Sequence, residues 1–329
     1  MAPNPDCSWS LAAHGGAGAI ERGLLRPEQE RAYRQGVARA AEAGAAVLRA
    51  GGRALCACEE AVRVMEDDPL FNAGRGSVFT AEGGVEMDAA IMDGRDLAAG
   101  AVAGVSSIRN PVSLARAVME RSPHVFLVGH GAEAFARSMG LETAPSAYFF
   151  TLRRWSALEH ELDRRGLPPP PRPEGVLDDL AAALAHDEGK RGTVGVVARD
   201  VHGDVAAATS TGGTTGKRWG RVGDSPLIGA GTYASNRGCA VSATGAGEYF
   251  IRLTVAKEIC ALVEHKGLSL QAAADAVVQD ELTALGGDGG VIAVGPDGAV
   301  AWSFNTAGMY RARISDSGPL VVGVYKDDP

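Results

Sequence analysis

Cysteine is scarce in this sequence, and neither the number nor the spacing of its cysteines suits a disulfide framework. Five occur among 329 residues, so the count is odd, and only two of them lie close together. That pair, at positions 56 and 58, has neither a zinc-site spacing nor the Cys-x-x-Cys spacing of redox proteins. We therefore expect free, buried thiols in a reducing compartment.

Long apolar runs, a positive net charge and a secretory leader are also absent. No stretch approaches the roughly 18 uncharged apolar residues that a membrane span needs. The 32 Lys and Arg residues are outnumbered by 40 Asp and Glu, and the net charge of −8 leaves no basic surface for nucleic acid or an anionic membrane. The first residues, Met-Ala-Pro-Asn-Pro, contain no basic segment followed by an apolar one. The sequence thus predicts a cytoplasmic protein without nucleic-acid or membrane partners.

What the chain does contain is typical of a large globular protein. Hydrophobic residues make up 46% and charged residues 22% of it. A chain of 329 residues can bury the core of one large domain or of two ordinary ones. Its 44 glycines exceed average usage, which indicates many tight turns or close backbone contacts.

Strand and helix patterns alternate up to about residue 139. An apolar run over 8–13 predicts a strand that ends in a glycine-rich loop, His-Gly-Gly-Ala-Gly (14–18). Apolar residues at helical spacing, together with start and stop signals, predict four helices between this loop and residue 139. The predicted helices cover 27–50, 54–66, 110–121 and 131–139, and further strands are predicted over 85–92, 98–105 and 125–128.

The composition then changes between about 153 and 191. Four consecutive prolines (168–171) and the charged Asp-Glu-Gly-Lys-Arg (187–191) predict a mobile surface linker. Beyond it, hairpins are predicted from strands 193–199 and 205–210 and from strands 291–294 and 300–304, with helices over 248–265 and 269–282 between them. Because each sheet needs covering layers, two packed sheets between helices are an economical arrangement, in the α/β (α+β) class.

The stretch from 192 to 248 concentrates hydroxyls, charges and glycines between short apolar runs. Strands that end at a common edge would deliver such groups to one site. The blocks are Gly-Thr-Val-Gly (192–195), Thr-Ser-Thr-Gly-Gly (209–213), Gly-Arg-Val-Gly-Asp-Ser-Pro (220–226) and Thr-Gly-Ala-Gly-Glu (244–248).

Thr193 is the candidate nucleophile in this stretch. A hydroxyl nucleophile needs a base at neutral pH, and an N-terminal threonine can use its own α-amino group, whose pKa is about 8. This chemistry requires cleavage directly before Thr193, where the linker is exposed and Gly192 tolerates a strained backbone. The alternative is that Thr193 simply begins a β-strand, a position that threonine favours.

Two further pairs of residues suit the binding of a small amino-acid substrate. Arg221 and Asp224 are suited to a zwitterion, since a guanidinium binds a carboxylate and a carboxylate accepts from an ammonium; alternatively they form a surface ion pair. Thr244 and Gly245 offer a hydroxyl and a backbone N–H, which suit an oxyanion hole. Alternatively, they only turn the chain into a helix that has Glu248 in its first turn.

Together these motifs resemble the plant-type (type III) asparaginases, which also act as isoaspartyl peptidases and belong to the N-terminal-nucleophile (Ntn) hydrolases. The resemblance covers nearly the whole chain, including every block between 192 and 248 and Phe-Asn-Thr at 304–306. The other matching motifs are His-Gly-Gly-Ala-Gly (14–18), Leu-Phe-Asn-Ala-Gly-Arg-Gly (70–76), Met-Asp-Ala-Ala-Ile-Met-Asp-Gly (87–94), Ala-Gly-Ala-Val-Ala-Gly-Val (99–105) and Arg-Asn-Pro-Val (109–112).

The resemblance implies how the nucleophile is made and held. The precursor would cut itself between Gly192 and Thr193, which makes Thr193 both the new N-terminus and the nucleophile. Thr211 would hydrogen-bond to Thr193 and tune it. Asn72 would lie beside the nucleophile and assist its positioning.

The resemblance also implies how the substrate is bound. Arg221 would bind its α-carboxylate, and Asp224 its α-amino group with help from the carbonyl of Gly247. Thr244 and Gly245 would form the oxyanion hole.

At the level of the whole molecule, the resemblance implies a four-layer αββα sandwich formed as one domain from two parts. Residues 1–192, with the linker at about 153–192, would form the α-subunit part and residues 193–329 the β-subunit part. The family's usual assembly is a dimer of αβ units. No cofactor or catalytic metal is implied, although the loop Met65–Arg75 resembles one whose backbone carbonyls bind a structural sodium ion, with arginine at 75 as a variation.

The sequence therefore predicts a self-processing amidohydrolase that releases ammonia from L-asparagine and cleaves β-aspartyl (isoaspartyl) dipeptides. One alternative is a glycosylasparaginase-type amidase, which would normally carry a secretory signal and disulfides. Another is a binding or scaffold protein of the same fold that never processes. Residues 214–219 depart from the family pattern. We expect substrate preference or processing rate to be set in this segment.

Overall fold

Two β-sheets lie face to face in the computed structural model of the chain, which describes residues 9–173 and 192–328. The larger sheet has eight strands in the order β12-β11-β1-β5-β6-β2-β3-β4, and the smaller has four in the order β10-β9-β8-β7. The strands are β1 (Ser10–Gly18), β2 (Met87–Asp93), β3 (Ala99–Val105), β4 (Phe126–Val128), β5 (Val194–Arg199), β6 (Val205–Thr211), β7 (Thr232–Ala234), β8 (Ala240–Gly245), β9 (Gly289–Val294), β10 (Val300–Phe304), β11 (Gly308–Ser315) and β12 (Val321–Tyr325).

Helices cover the outer face of each sheet. The larger sheet packs against α1, α2 and α3, and the smaller one against α7 and α8. The helices are α1 (Pro27–Arg49), α2 (Ala54–Glu66), α3 (Pro111–Arg121), α4 (Gly129–Ser138), α5 (Leu152–Arg164), α6 (Gly247–Leu253), α7 (Val255–Lys266) and α8 (Leu270–Asp275).

Three buried apolar layers follow from the alternation of side chains along the strands. On β1, Leu11 points into the core under α1 and α2, whereas its neighbour Ala12 points into the core between the two sheets. Val196 and Val197 divide between the same two cores on β5. A third core lies between the smaller sheet and its helices. The predicted four-layer αββα sandwich is therefore confirmed.

The first strand differs from its prediction. The glycine-rich motif at 14–18 was predicted as a loop, but it forms the second half of β1. The register of β1 against β11 shifts between His14 and Ala17, so a β-bulge absorbs the irregular backbone there. Gly16 has φ of 114°, a conformation that favours glycine. The motif thus bends the strand without ending it.

The predicted linker is wrong over its first part. Residues 152–164 form the helix α5, which begins at Thr151, whose side chain accepts a hydrogen bond from the N–H of Arg154. Trp155, Leu158 and Leu162 lie on one buried face of it. The dense charge of the segment obscures this apolar stripe. The remainder of the predicted linker consists largely of residues 174–191, which lie outside the described residues.

The two helices predicted near the C-terminus are interrupted. The predicted helix 248–265 is divided into α6 and α7 by Thr254, whose φ of 48° is in the left-handed region. After α8, residues Ala276–Leu282 continue as a π-helical segment. Apolar spacing alone carries no signal for a one-residue break. The other predicted helices and strands are found within a few residues of their predicted limits.

In the described part of the chain, no helix is both long and apolar enough to cross a membrane. None of the four cysteines described there forms a disulfide. Three of them are buried, and Cys56 is partly exposed.

Candidate active site

The first two strands after the predicted linker, β5 and β6, bring Thr193 opposite Thr211. Val194 pairs with Ser210 in the antiparallel ladder of β5 and β6, so the residues one step outward meet at the end of both strands. Thr193 Oγ1 donates to Thr211 Oγ1 at 3.2 Å, and Thr211 Oγ1 donates to the carbonyl oxygen of Gly192 at 3.0 Å. Thr193 is itself buried. The predicted nucleophile and its tuning partner are thus brought together.

Asn72 reaches the same junction from the loop after α2. Its Nδ2 donates to the carbonyl oxygen of Gly192 at 2.9 Å and to that of Gly213 at 2.8 Å. Its Oδ1 accepts from the N–H of Val78 at 3.0 Å, which fixes the amide orientation. The preceding Phe71 is fully buried and holds the loop in place. The carbonyl of Gly192, at the predicted cleavage site, therefore receives two hydrogen bonds.

His14 is a site residue that sequence reasoning had not singled out beyond its motif. It is fully buried, and its Nδ1 lies 3.1 Å from the carbonyl oxygen of Thr193. A carbonyl only accepts, so we assign the proton to Nδ1, and Nε2 then accepts from Ser242 Oγ at 2.9 Å. Burial lowers the pKa of His14 to about 3, against the raising effect of its bond to Thr193. The neutral imidazole of His14 thus joins the backbone of Thr193 to Ser242 on β8 through hydrogen bonds.

Arg221 lies in the cleft but pairs with Glu248, not with Asp224. Its Nε and Nη2 bind the two carboxylate oxygens of Glu248 at 2.9 and 3.1 Å. The alternative of an Arg221–Asp224 surface pair is not what the structure has. Asp224 is buried, and its Oδ2 has no hydrogen-bond partner in the described part of the chain. Burial raises the pKa of Asp224 to about 7, opposed by the nearby Arg221 charge.

Gly247 adjoins both charged residues at the start of α6. A Cβ atom at this position would lie 2.7 Å from Asp224 Oδ1 and 3.0 Å from Arg221 Nη2. Any side chain here would therefore crowd the two charged groups. The missing side chain leaves room for a ligand between them.

Thr244 and Gly245 lie where β8 ends beside the cleft. Among the described residues, the buried Oγ1 of Thr244 has no hydrogen-bond partner, a costly state for a hydroxyl unless a ligand or water uses it. Gly245 has φ of 154°, and a Cβ there would collide with the carbonyl oxygen of Asp288, so this position requires glycine. The hydroxyl of Thr244 suits a site that receives an oxygen atom.

These groups line one small, narrow cleft. Its mixture of hydroxyls, one guanidinium and one carboxylate suits the charged groups of an amino acid. Thr244 borders the cleft through its neighbour Gly245, and Asn72 and Gly247 adjoin it through the contacts above. The lining residues are Gly192, Thr193, Thr211, Gly213, Thr214, Arg221, Gly223, Asp224, Ser225 and Gly245.

Comparison with known proteins gives one consistent result. Residues 7–323 match the family model described as "Asparaginase". An "isoaspartyl peptidase" of Salmonella typhimurium is 52% identical over 318 residues, covering 96% of this chain and 98% of its own. A "probable isoaspartyl peptidase/L-asparaginase 2" of Arabidopsis thaliana is 42% identical, with 97% and 99% covered.

A human relative extends the comparison to animals. The "isoaspartyl peptidase/L-asparaginase" of Homo sapiens is 43% identical, and the alignment covers 95% of each chain. Since the family match spans most of the sequence and these relatives align almost end to end, the chain belongs to the asparaginase family.

Proposed function

We propose that this protein is a self-processing amidohydrolase that releases ammonia from L-asparagine and cleaves β-aspartyl dipeptides. The observation that carries the proposal is the junction at Gly192 and Thr193, where a buried threonine hydroxyl meets a carbonyl that accepts two hydrogen bonds. The names of the relatives point to the same substrates. These names favour the proposed activity over the glycosylasparaginase alternative, because none of the three relatives named above is called a glycosylasparaginase.

Self-cleavage prepares the nucleophile. Thr193 Oγ attacks the carbonyl carbon of Gly192, and its proton passes to the peptide nitrogen, which leaves as the free α-amine while an ester of Gly192 with Thr193 Oγ forms. Water then hydrolyses the ester, which frees the hydroxyl of Thr193 and the carboxylate of Gly192. Asn72 and Thr211 donate to the carbonyl oxygen on which negative charge develops.

Hydrolysis of the substrate uses the same hydroxyl. The freed α-amine accepts the proton of Thr193 Oγ, which attacks the β-carbonyl of the substrate. The oxyanion is stabilised by Thr244 Oγ1, which has no partner among the residues that the structure describes, and by the N–H of Gly245. Ammonia or an amino acid leaves, and water releases aspartate from the β-aspartyl ester.

The charged residues orient the substrate for this attack. Arg221 binds the α-carboxylate, while Asp224 and the carbonyl of Gly247 bind the α-ammonium. The unpartnered Oδ2 of Asp224 supports this role, because a buried carboxylate without a partner is costly until a cation meets it.

A sodium ion in the loop Met65–Arg75 is a further part of the proposal. A Cβ on Gly74 would collide with the carbonyl oxygen of Glu66, and one on Gly76 with those of Phe71 and Pro69. Three carbonyl oxygens therefore turn toward the inside of this loop. Such hard oxygen ligands suit a small cation, which would stiffen the loop that carries Asn72.

We also propose that the cut chains form a dimer of αβ units and that the protein works in the cytoplasm. The family resemblance supports the dimer, and the free cysteines support a reducing compartment.

The test is an intact-mass spectrum of the purified protein with N-terminal sequencing of any fragment. Two fragments are expected, one ending at Gly192 and one beginning at Thr193, with ammonia released from L-asparagine by the cut protein. Thr193→Ala should stay uncut and inactive, because it lacks the hydroxyl. The exposed Thr143→Ala is the matched control and should be cut. A Thr193→Ala variant that is cut or active would contradict the assignment of Thr193 as the nucleophile. A wild-type chain that is never cut would favour the binding-protein alternative.

A further inference from the structure

Arg221 uses only one edge of its guanidinium to bind Glu248. The bonds from Nε and Nη2 occupy the edge beside the side-chain stem. The guanidinium has a second edge for bidentate binding, formed by Nη1 and Nη2. Among the described residues, Nη1 has no hydrogen-bond partner.

The second edge faces the cleft. A Cβ on Gly223 would lie 2.8 Å from Nη1 and one on Gly213 3.5 Å from it, and both glycines line the cleft. On the other side, a Cβ on Gly247 would lie 3.0 Å from Nη2. Three positions without side chains therefore surround the edge that Glu248 leaves unused.

We propose that Glu248 is a positioning residue for the substrate carboxylate. It holds the first edge of Arg221 so that the second edge is directed into the cleft, and both carboxylates bind the guanidinium together. This inference rests on the proposed function, in which Arg221 binds the α-carboxylate of the substrate.

The physical reason is pre-organisation. An arginine side chain loses rotamer entropy when it is fixed, and Glu248 fixes it before the substrate arrives. Lys217, the neighbouring cation, would not replace Arg221 as the group that binds the substrate carboxylate. Its ammonium already donates a hydrogen bond to the carbonyl oxygen of Glu86 at 2.7 Å.

The opposite role is physically conceivable and predicts an opposite result. If the carboxylate of Glu248 occupied the place of the substrate carboxylate, its removal would free Arg221 and lower KM. The side chain of Glu248 is 63% exposed, so the effect in either direction is modest.

The experiment compares Glu248→Gln and Glu248→Ala with wild type on two substrates. One is L-asparagine, and the other is 3-aminopropanamide, which lacks only the α-carboxylate. For L-asparagine, KM should rise about three- to fivefold in Glu248→Gln, the range of an exposed ion pair, and more in Glu248→Ala, with kcat unchanged within about twofold. For 3-aminopropanamide, kcat/KM should stay as in wild type.

Glu42→Gln is the matched control, because Glu42 forms an exposed ion pair with Arg49 on α1, and it should leave both substrates unaffected. An unchanged or lower KM for L-asparagine, or an equal loss for both substrates, would overturn the role of Glu248 while leaving the proposed function intact. A cut wild-type protein that hydrolyses neither L-asparagine nor a β-aspartyl dipeptide would overturn both.

Discussion

In the proposed mechanism, the protonation state of Asp224 decides whether the cleft can accept an α-ammonium group. Burial raises the pKa of this carboxyl to about 7, so at neutral pH the free enzyme is a mixture of ionised and protonated forms. Only the ionised form can pair with an ammonium, and binding then stabilises that form. Substrate capture should therefore weaken as the pH falls through 7.

The pH dependence of substrate selectivity tests this expectation. The amine of Thr193 also titrates, so the rate on L-asparagine alone would mix two groups. Succinamic acid, which is asparagine without its α-amino group, needs the same nucleophile but no ammonium partner. The ratio of kcat/KM for L-asparagine to that for succinamic acid should fall about tenfold per pH unit below about pH 7, as expected for one protonation. A ratio that stays constant between pH 5.5 and 8.5 would remove Asp224 from ammonium binding.

Most residues of the candidate site could be predicted because their motifs resemble a known family. Spacing alone left open whether Thr193 merely begins a strand and whether Arg221 only forms a surface ion pair. The contacts of His14 with Thr193 and Ser242 join residues 179 and 228 positions apart, so no local pattern could contain them. The pairing of Glu248 with Arg221 depends on how β8 turns into α6, which is likewise a tertiary property.

At the scale of elements, Glu66 joins the end of α2 to two neighbours. Its Oε1 accepts from Ser210 Oγ on β6 at 2.6 Å and from the N–H of Val112 on α3 at 3.0 Å. Its Oε2 is buried without a hydrogen-bond partner. Burial raises the pKa of Glu66 to about 8, although its hydrogen bonds act to lower it. The carboxyl therefore stays protonated in the fold well above the pH at which it ionises in the unfolded chain.

Replacement of Glu66 by Gln should make stability less dependent on pH. The folded pKa is raised, so the stabilisation from the protonated form is present at low pH and is lost as the pH rises through about 8. Glutamine keeps the acceptor oxygen but cannot ionise. Relative to wild type, the variant should gain about 3 kcal/mol in its free energy of unfolding between pH 6 and 9, since wild type loses about 1.4 kcal/mol per pH unit up to the folded pKa of about 8.

Thermal melts at several pH values measure this difference. Glu60→Gln, on the same helix but partly exposed and paired with Arg63, is the control and should follow wild type. A parallel pH dependence of the melting temperature in wild type and Glu66→Gln would show that Glu66 ionises as easily in the fold as in the unfolded chain.

Periodicity predicted the long elements of this fold well and failed where the chain changes direction or hides its pattern. The helix α1 follows its apolar spacing almost to the residue. On α5, charged residues surround the stripe formed by Trp155, Leu158 and Leu162, so composition argued for a linker. The break at Thr254 costs backbone strain that only the packing of α6 and α7 can offset.

The two parts of the whole molecule on either side of Gly192 are interleaved in the larger sheet. The strand β1 pairs with β11 on one side and with β5 on the other, and β2 pairs with β6. Strands from the part before Gly192 and strands from the part after it therefore lie next to one another in the centre of the larger sheet. Separation of the parts would break three ladders and expose their edges to water.

Cleavage at Gly192 should consequently leave one folded body. The cut protein should elute from gel filtration as a single peak that contains both fragments, at the volume of the uncut Thr193→Ala variant, and should separate only in denaturant. It should also unfold in one thermal transition, because the larger sheet is complete only when strands of both parts are present. Fragments that elute apart under native conditions, or that melt independently, would contradict the strand order on which this expectation depends.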